Sequence, residues 1–262
     1  MSKKIKKIDP EKTLYAVAAI ASFFVLWWFL TTFTPVKETT PGPIEVLQLL
    51  LTSFYTPIGS EVIVGHLLVS LRRVLVGFSV ATIIGIVLGI AMGTSRWAEA
   101  IFKPIFELLR PIPPIAWISL VILFFGIGET SKYILCGIGA FTNVTLNAYT
   151  GAQNVDPELI GCARMLGTSE RDIFFRVILP SCTPQIFAGM QVALSTSWMA
   201  VLAAEMVGAQ EGCGWMIQRG SDTLNITLVM VGMIVIGLVG MFLAALMRTI
   251  ERRLCSWNIM EE

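Results

Sequence analysis

Six stretches of this chain contain no Asp, Glu, Lys or Arg: Thr13–Val36, Val74–Ser95, Pro111–Gly128, Tyr133–Val155, Val177–Ala204 and Thr223–Met247. Their lengths are 24, 22, 18, 23, 28 and 25 residues, and a helix needs roughly 17–25 apolar residues to cross the hydrocarbon of a bilayer. A soluble domain has no use for six such runs. Inside lipid the backbone must satisfy its own hydrogen bonds, which leaves helices or a closed barrel. The runs are continuously apolar and do not alternate at every second residue, which excludes the barrel. The expected fold is therefore all-α: a polytopic membrane protein with six transmembrane helices. A seventh apolar window, Val46–Ser60, is only 15 residues long and holds Gln48, Pro57 and Gly59. It reads as a helix lying at the membrane surface.

The basic residues set the expected orientation. With the N-terminus inside, fourteen Lys and Arg fall on the inner side: five Lys before the first span, then Arg96, Lys103, Arg110, Arg164, Arg171, Arg176, Arg248, Arg252 and Arg253. Only Lys37, Lys132 and Arg219 fall outside, with Arg72 and Arg73 at the entry to the second span. This asymmetry predicts N-in and C-in. The chain then divides into an inner segment 1–12, a first transmembrane helix 13–36, an outer loop 37–61 with the surface helix, a five-helix core 62–250 and an inner tail 251–262. A loop at 154–182 lies between spans four and five. The opening SKKIKKIDPEK resembles a signal-peptide start, but no small-residue cleavage site follows the apolar run, so an uncleaved first span is expected. No basic stripe interleaved with aromatics points to nucleic acid.

Within the second window Gly77, Ala81, Gly85, Gly89 and Gly93 place a small residue at every fourth position. Such a face lets two membrane helices approach closely; the spacing leaves open whether the partner is in the same chain or in a second copy. Pro111, Pro113 and Pro114 interrupt helix before the third span. In the 154–182 loop, Asp156-Pro157-Glu158 is a helix start, Gly167 a stop, and Thr168 or Ser169 a second start that ends at Leu179–Pro180. The loop is thus expected to be a helix–turn–helix carrying both charges and exposed apolar residues.

Catalytic chemistry finds little support. The one histidine, His66, sits where an interfacial residue is expected, and no HExxH, Cys/His cluster or GxSxG occurs. Cys136, Cys162, Cys182, Cys213 and Cys255 have no metal or disulfide spacing and read as small apolar residues. GIGETSK at 126–132 resembles a phosphate loop but lacks its spacing. Uphill transport would then draw on an ion gradient or on another subunit. Gradient-driven carriers place ionisable groups inside spans; here only Arg72, Arg73 and Glu205 stand at window margins, which favours a subunit driven from outside.

The stretch GCARMLGTSERDIFFRVILP resembles the cytoplasmic signature of ABC importer permeases: Glu-Ala-Ala, three residues, Gly, nine residues, Ile, one residue, Leu-Pro. Ala163, Gly167, Leu179 and Pro180 match and Val177 stands in for Ile, whereas Gly161 and Cys162 replace the usual Glu-Ala. ELLRPIPPIAWISLVILFFGIGETSK, VAAEMVGAQEGCGWMIQ and RRLCSW extend the resemblance from about His66 to the C-terminus. They are similar to the branch serving taurine, aliphatic sulfonates and nitrate, and most of all to taurine-type permeases; relatives with similar loops serve thiamine precursors and riboflavin.

The resemblance implies two permease chains side by side in a bacterial inner membrane, with ATPase subunits below and an extracytoplasmic binding protein above. ATP and magnesium would be held by the ATPase, leaving this chain without a cofactor or catalytic residue. Ala163, Leu166, Gly167, Phe174, Val177, Leu179 and Pro180 would form the coupling element. For a pathway, the spans offer Asn143, Asn147, Ser195, Trp198 and Glu205, polar or amphipathic groups that either line a passage or bond helix to helix.

Overall fold

The computed structural model describes residues 10–255; the N-terminal lysines before Pro10 and the end of RRLCSW lie outside them. Helix α1 (Pro10–Phe33) leads through a 3₁₀ turn to α2 (Pro43–Thr52), the ten-residue form taken by the expected surface helix. Then follow α3 (Ile63–Thr94), α4 (Arg96–Leu109), α5 (Ile118–Phe125), α6 (Glu129–Gln153), α7 (Pro157–Met165), α8 (Glu170–Ile173), α9 (Leu179–Gly208), α10 (Cys213–Asp222) and α11 (Ile226–Leu254). No extended strand is formed among the described residues, only a single bridge between Ile58 and Glu61. Helices α1, α3, α9 with its lead-in, and α11 are long and apolar enough to cross a membrane.

The third window, expected as one span, is not a single helix. A helix of eight residues rises only about 12 Å, so α5 crosses no bilayer alone. It is joined to α4, which meets it at 88°; together the bent pair makes at most one crossing. Pro111, Pro113 and Pro114 supply the break by removing backbone donors, and Pro113, which precedes Pro114, is extended at φ −64° and ψ 145°. Residues 96–109, expected as an inner loop, instead form the amphipathic α4. Its Phe102, Ile105, Phe106 and Leu109 line an apolar groove of about 620 Å³ together with Val76, Val80 and Ile84 of α3 and residues of α6.

Helix α6 is the centre of the bundle, with its most extensive packing against α3 and α9. Of its polar residues, Asn143 and Asn147 bond to side chains of α9 and Thr150 to Leu146 O of its own helix, whereas Thr145 Oγ1 is buried against α3 without a hydrogen-bond partner among the described residues. The small-residue stripe of α3 meets this helix of the same chain. A Cβ added at Gly77 would stand 2.5 Å from Cys136 Cβ, and one at Gly93 would stand 2.5 Å from Ala152 Cβ. The pairing advances equally on both helices, so α3 and α6 run parallel. At Gly89 the obstruction is backbone, with Thr145 O at 2.5 Å and Tyr149 N at 2.9 Å. Overpacking a core costs about 1–3 kcal/mol, and a backbone obstruction cannot rotate away. Gly89→Val is therefore expected to lower stability by about 3 kcal/mol in thermal unfolding of the detergent-purified chain. Gly237→Ala, where an added Cβ meets nothing within 4 Å, is the neutral control. An unchanged midpoint in Gly89→Val would mean that α3 and α6 are not in contact.

The second loop helix does not stop at Leu179–Pro180. It continues from α8 through a π-helical segment, Phe174–Ile178, into α9. A proline clashes with the carbonyl four residues earlier; for Pro180 that is Arg176, inside the widened π turn, which accommodates it.

Candidate functional site

At the loop end of the bundle the turn chemistry is local. Asp156 accepts from the Glu158 N–H at 2.8 Å with Pro157 opening α7, and Ser169 Oγ accepts from the Asp172 N–H at 3.2 Å to open α8. Between them Gly167 adopts φ +76°. The Thr168 N–H donates to Ala163 O at 3.1 Å and the Gly167 N–H to Arg164 O at 3.0 Å, the crossed pair that closes a helix through a left-handed residue. The charges clip this turn. Arg164 reaches across it to Glu170 in a two-pronged contact, Nε–Oε1 2.8 Å and Nη2–Oε2 3.1 Å, and Arg176 faces Asp172 one turn back. The hydrogen bond from Arg164 holds the Glu170 carboxyl below its ordinary range.

The same turn leaves apolar side chains in the open: Met165 is 81% and Leu166 85% exposed, with Phe175 and Leu159 also exposed. Phe174 instead packs back, with Ile178 and Leu179, against a cluster containing Ile90, Ala148, Val155, Cys182 and Ile186. Val177 and Pro180 are half-buried and Ala163 contributes its carbonyl. Gly161 borders open space, so nothing steric accounts for the missing acid. The exposed ridge is therefore Met165–Leu166, of which sequence reasoning had singled out only Leu166.

The five residues offered for a pathway separate. Asn143 Nδ2 donates to Thr196 Oγ1 at 3.1 Å, and Asn147 Oδ1 accepts from Gln185 Nε2 at 3.0 Å; both stitch α6 to α9. Ser195 stands exposed beside them, bonded only to Gln191 O of its own helix. Trp198 is buried and donates to Ile236 O of α11. Glu205 is fully enclosed. Trp198 and Glu205 are thus buried within this chain, Asn143 and Asn147 are half-buried, and Ser195 is exposed.

Glu205 belongs to a buried polar knot at the opposite end of the bundle from α7 and α8. Its Oε1 accepts from Arg73 Nη1 and Ser70 Oγ, both at 2.8 Å, and its Oε2 from the Gly214 N–H at 2.9 Å. Arg73 also grips Glu129 with Nε–Oε2 at 2.9 Å and donates to Glu211 O at 2.8 Å. Lys132 joins Glu129 at 3.0 Å. His66 is buried, not interfacial: its Nδ1 accepts from the Gly212 N–H at 3.1 Å, so Nε2 carries the proton and donates to Ile58 O at 2.8 Å. The Cys213 N–H donates to Ser70 Oγ at 2.9 Å. Three consecutive donors at the start of α10 are thus capped by His66, Ser70 and Glu205, where a helix normally has unsatisfied N–H groups. His66, Ser70 and Arg73 fall at helical spacing on one face of α3, the signal that would have grouped them. Arg72, by contrast, is mostly exposed; the adjacent arginines have different surroundings.

A family profile for the "Binding-protein-dependent transport system inner membrane component" matches residues 81–255. The chain is 35% identical over 246 residues to the taurine transport system permease protein TauC of Escherichia coli K12, covering 93% of this chain and 89% of that one. It is 32% identical to the nitrate import permease protein NrtB of Synechocystis, covering 90% and 87%. A chain of the methionine ABC transporter MetNI in an inward-facing conformation superposes with a TM-score of 0.62 at 19% identity, over 71% of this chain and 92% of that one; it shares the fold. With a profile matched across the α3–α11 core and relatives matched over nearly its whole length, this multi-pass chain belongs to the inner-membrane components of binding-protein-dependent transport systems, the permease subunits of ABC importers.

Proposed function

We propose that this permease imports a small organic anion, taurine or another alkanesulfonate, delivered by an extracytoplasmic binding protein and driven by separate ATPase subunits that hold ATP and magnesium. In this reading the chain crosses the membrane six times, counting α1, α3, the bent α4–α5 pair, α6, α9 and α11, with both ends inside. Two copies pair around a passage to which Asn143, Asn147 and Ser195 contribute. The observation that carries the reading is the clipped turn at Gly167, which presents Met165 and Leu166 to a partner. An apolar ridge with a charged rim is the usual form of a protein contact. Ala163, Leu166, Gly167, Phe174, Val177, Leu179 and Pro180 act together: the first three build the ridge, and the last four connect it to α9 so that displacement of the loop moves the bundle. The likeness to taurine and nitrate permeases supports a substrate bearing an oxyanion group, and the 35% identity to the taurine permease supports the sulfonate.

The test is reconstitution in proteoliposomes with ATPase subunits and a binding protein. Labelled taurine should accumulate with ATP and not without it. Accumulation of nitrate but not taurine would replace the substrate while retaining the mechanism.

A further inference from the structure

The buried knot does not balance its own charge. Arg72, Arg73 and Lys132 bring three positive charges to it, and Glu129 and Glu205 bring two negative ones. Glu205 is fully enclosed and serves Ser70 and the Gly214 N–H as well as Arg73. The three cations therefore converge on the single carboxylate of Glu129.

Burial runs the opposite way from that of an ordinary core pair. The Arg73 and Lys132 side chains are only 4% and 9% exposed, whereas that of Glu129, which serves both, is 39% exposed. A buried cation left without an anion is costly, so these two require an anion at this spot. The one present lies at the surface. Its approach is open: a Cβ added at Gly126 or Gly128, just before Glu129, would meet nothing within 4 Å.

The fit of the carboxylate selects the chemistry. Its two oxygens receive four donors. Arg73 Nη2 and Lys132 Nζ fall on Oε1, the latter at 3.0 Å, and Arg73 Nε and Arg72 Nη2 fall on Oε2 at 2.9 and 3.4 Å. Charge-assisted N–H···O bonds run about 2.7–2.9 Å, so Arg72 stands off, with its side chain 60% exposed. A carboxylate has no third oxygen to offer it. An oxyanion with three equivalent oxygens does: two take the Arg73 fork and the third takes Arg72. The phosphodiester of a lipid headgroup has two free oxygens, as a carboxylate has, and is disfavoured on the same count.

We infer that Arg72, Arg73 and Lys132 form an anion cradle in which the Glu129 carboxylate is a tethered occupant, displaced by an oxyanion with three equivalent oxygens such as an alkanesulfonate or nitrate. The cradle stands on this geometry; its use by the imported anion rests on the functional reading above.

The probe is methanesulfonate, replacing chloride at constant ionic strength, and the readout is the unfolding midpoint of the detergent-purified full chain. Glu129→Ala vacates the cradle and should lower the midpoint, and methanesulfonate should restore it. Glu129→Gln keeps the shape and loses the charge, so it is the variant to use if Glu129→Ala fails to fold, and it should respond in the same direction. The parent should need at least about tenfold more methanesulfonate, because a tethered group competes at a high effective concentration. Acetate and dimethyl phosphate, each with two free oxygens, should be needed at about tenfold higher concentration than methanesulfonate. So should methanesulfonate itself once Arg72→Gln is added to either Glu129 variant, the loss of one charge-assisted hydrogen bond. Three results would overturn the cradle: no response in either Glu129 variant, a parent that responds at the variants' concentration, or indifference to Arg72. An equal response to acetate or dimethyl phosphate would overturn the three-oxygen ligand. In the reconstituted complex Arg72→Gln should keep the parental midpoint and cut taurine uptake about tenfold. Parental uptake in that variant would overturn use of the cradle by the imported anion. No uptake by the parent complex would overturn the functional reading, while the midpoints still decide the cradle.

Discussion

Gly167→Val is expected to uncouple ATP hydrolysis from uptake while leaving the chain in the membrane. Gly167 sits at φ +76° and an added Cβ would meet nothing within 4 Å, so the penalty lies in the backbone and not in a clash. A side chain in the left-handed region costs about 1–2 kcal/mol, and a β-branched one is the least tolerant. The turn would relax toward another conformation, redirecting Met165 and Leu166 and separating Arg164 from Glu170. No bundle contact depends on this residue, so insertion and unfolding of the spans should be unchanged. Uptake by the reconstituted complex should fall by about tenfold or more, matching a loss of about 1.4 kcal/mol, while hydrolysis continues. Parental uptake in this variant would remove the loop as the coupling element.

Glu205→Ala is expected to act on folding instead. Removing one member of a buried ion pair costs about 3–5 kcal/mol because the other charge is left unpaired. Arg73 retains Glu129, which places the loss near the lower figure, about 3 kcal/mol. The Gly214 and Ser70 donors lose their acceptor as well. That is a large share of the roughly 5–15 kcal/mol that holds a domain together. The variant should accumulate poorly and unfold at a lower temperature in detergent, and Glu205→Gln, which keeps an acceptor, should recover part of both. A Glu205→Ala chain of parental stability with altered transport would return Glu205 to the pathway.

The two variants also mark where sequence reasoning reached and where it stopped. Charge-free windows located α1, α6, α9 and α11 because an uncompensated charge does not sit in lipid. The same rule misplaced the start of α3, which begins at Ile63, eleven residues before the window opening at Val74. Arg73 is compensated by Glu205 and Glu129, residues distant in the chain, and a scan along the sequence treats every charge as a boundary. Hence His66, Arg73 and Glu205 read as interfacial or marginal when they are core. The glycine stripe of α3 was legible as a close contact, but its partner was not, since spacing on one helix says nothing about the other. Gly167 was legible because glycine advertises a left-handed turn; Leu224 takes the same geometry, φ +53°, without that sign. The prolines at 111–114 announced a break, but the 88° bend and the short α5 depend on what α4 packs against.

The most direct measurement is taurine uptake into proteoliposomes containing this permease with and without its ATPase subunits, each with a protonophore present or absent. The account predicts no accumulation by the permease alone, and accumulation by the full complex that requires ATP and binding protein and is indifferent to the protonophore. Accumulation by the permease alone, abolished by the protonophore, would contradict it and identify a gradient-driven carrier.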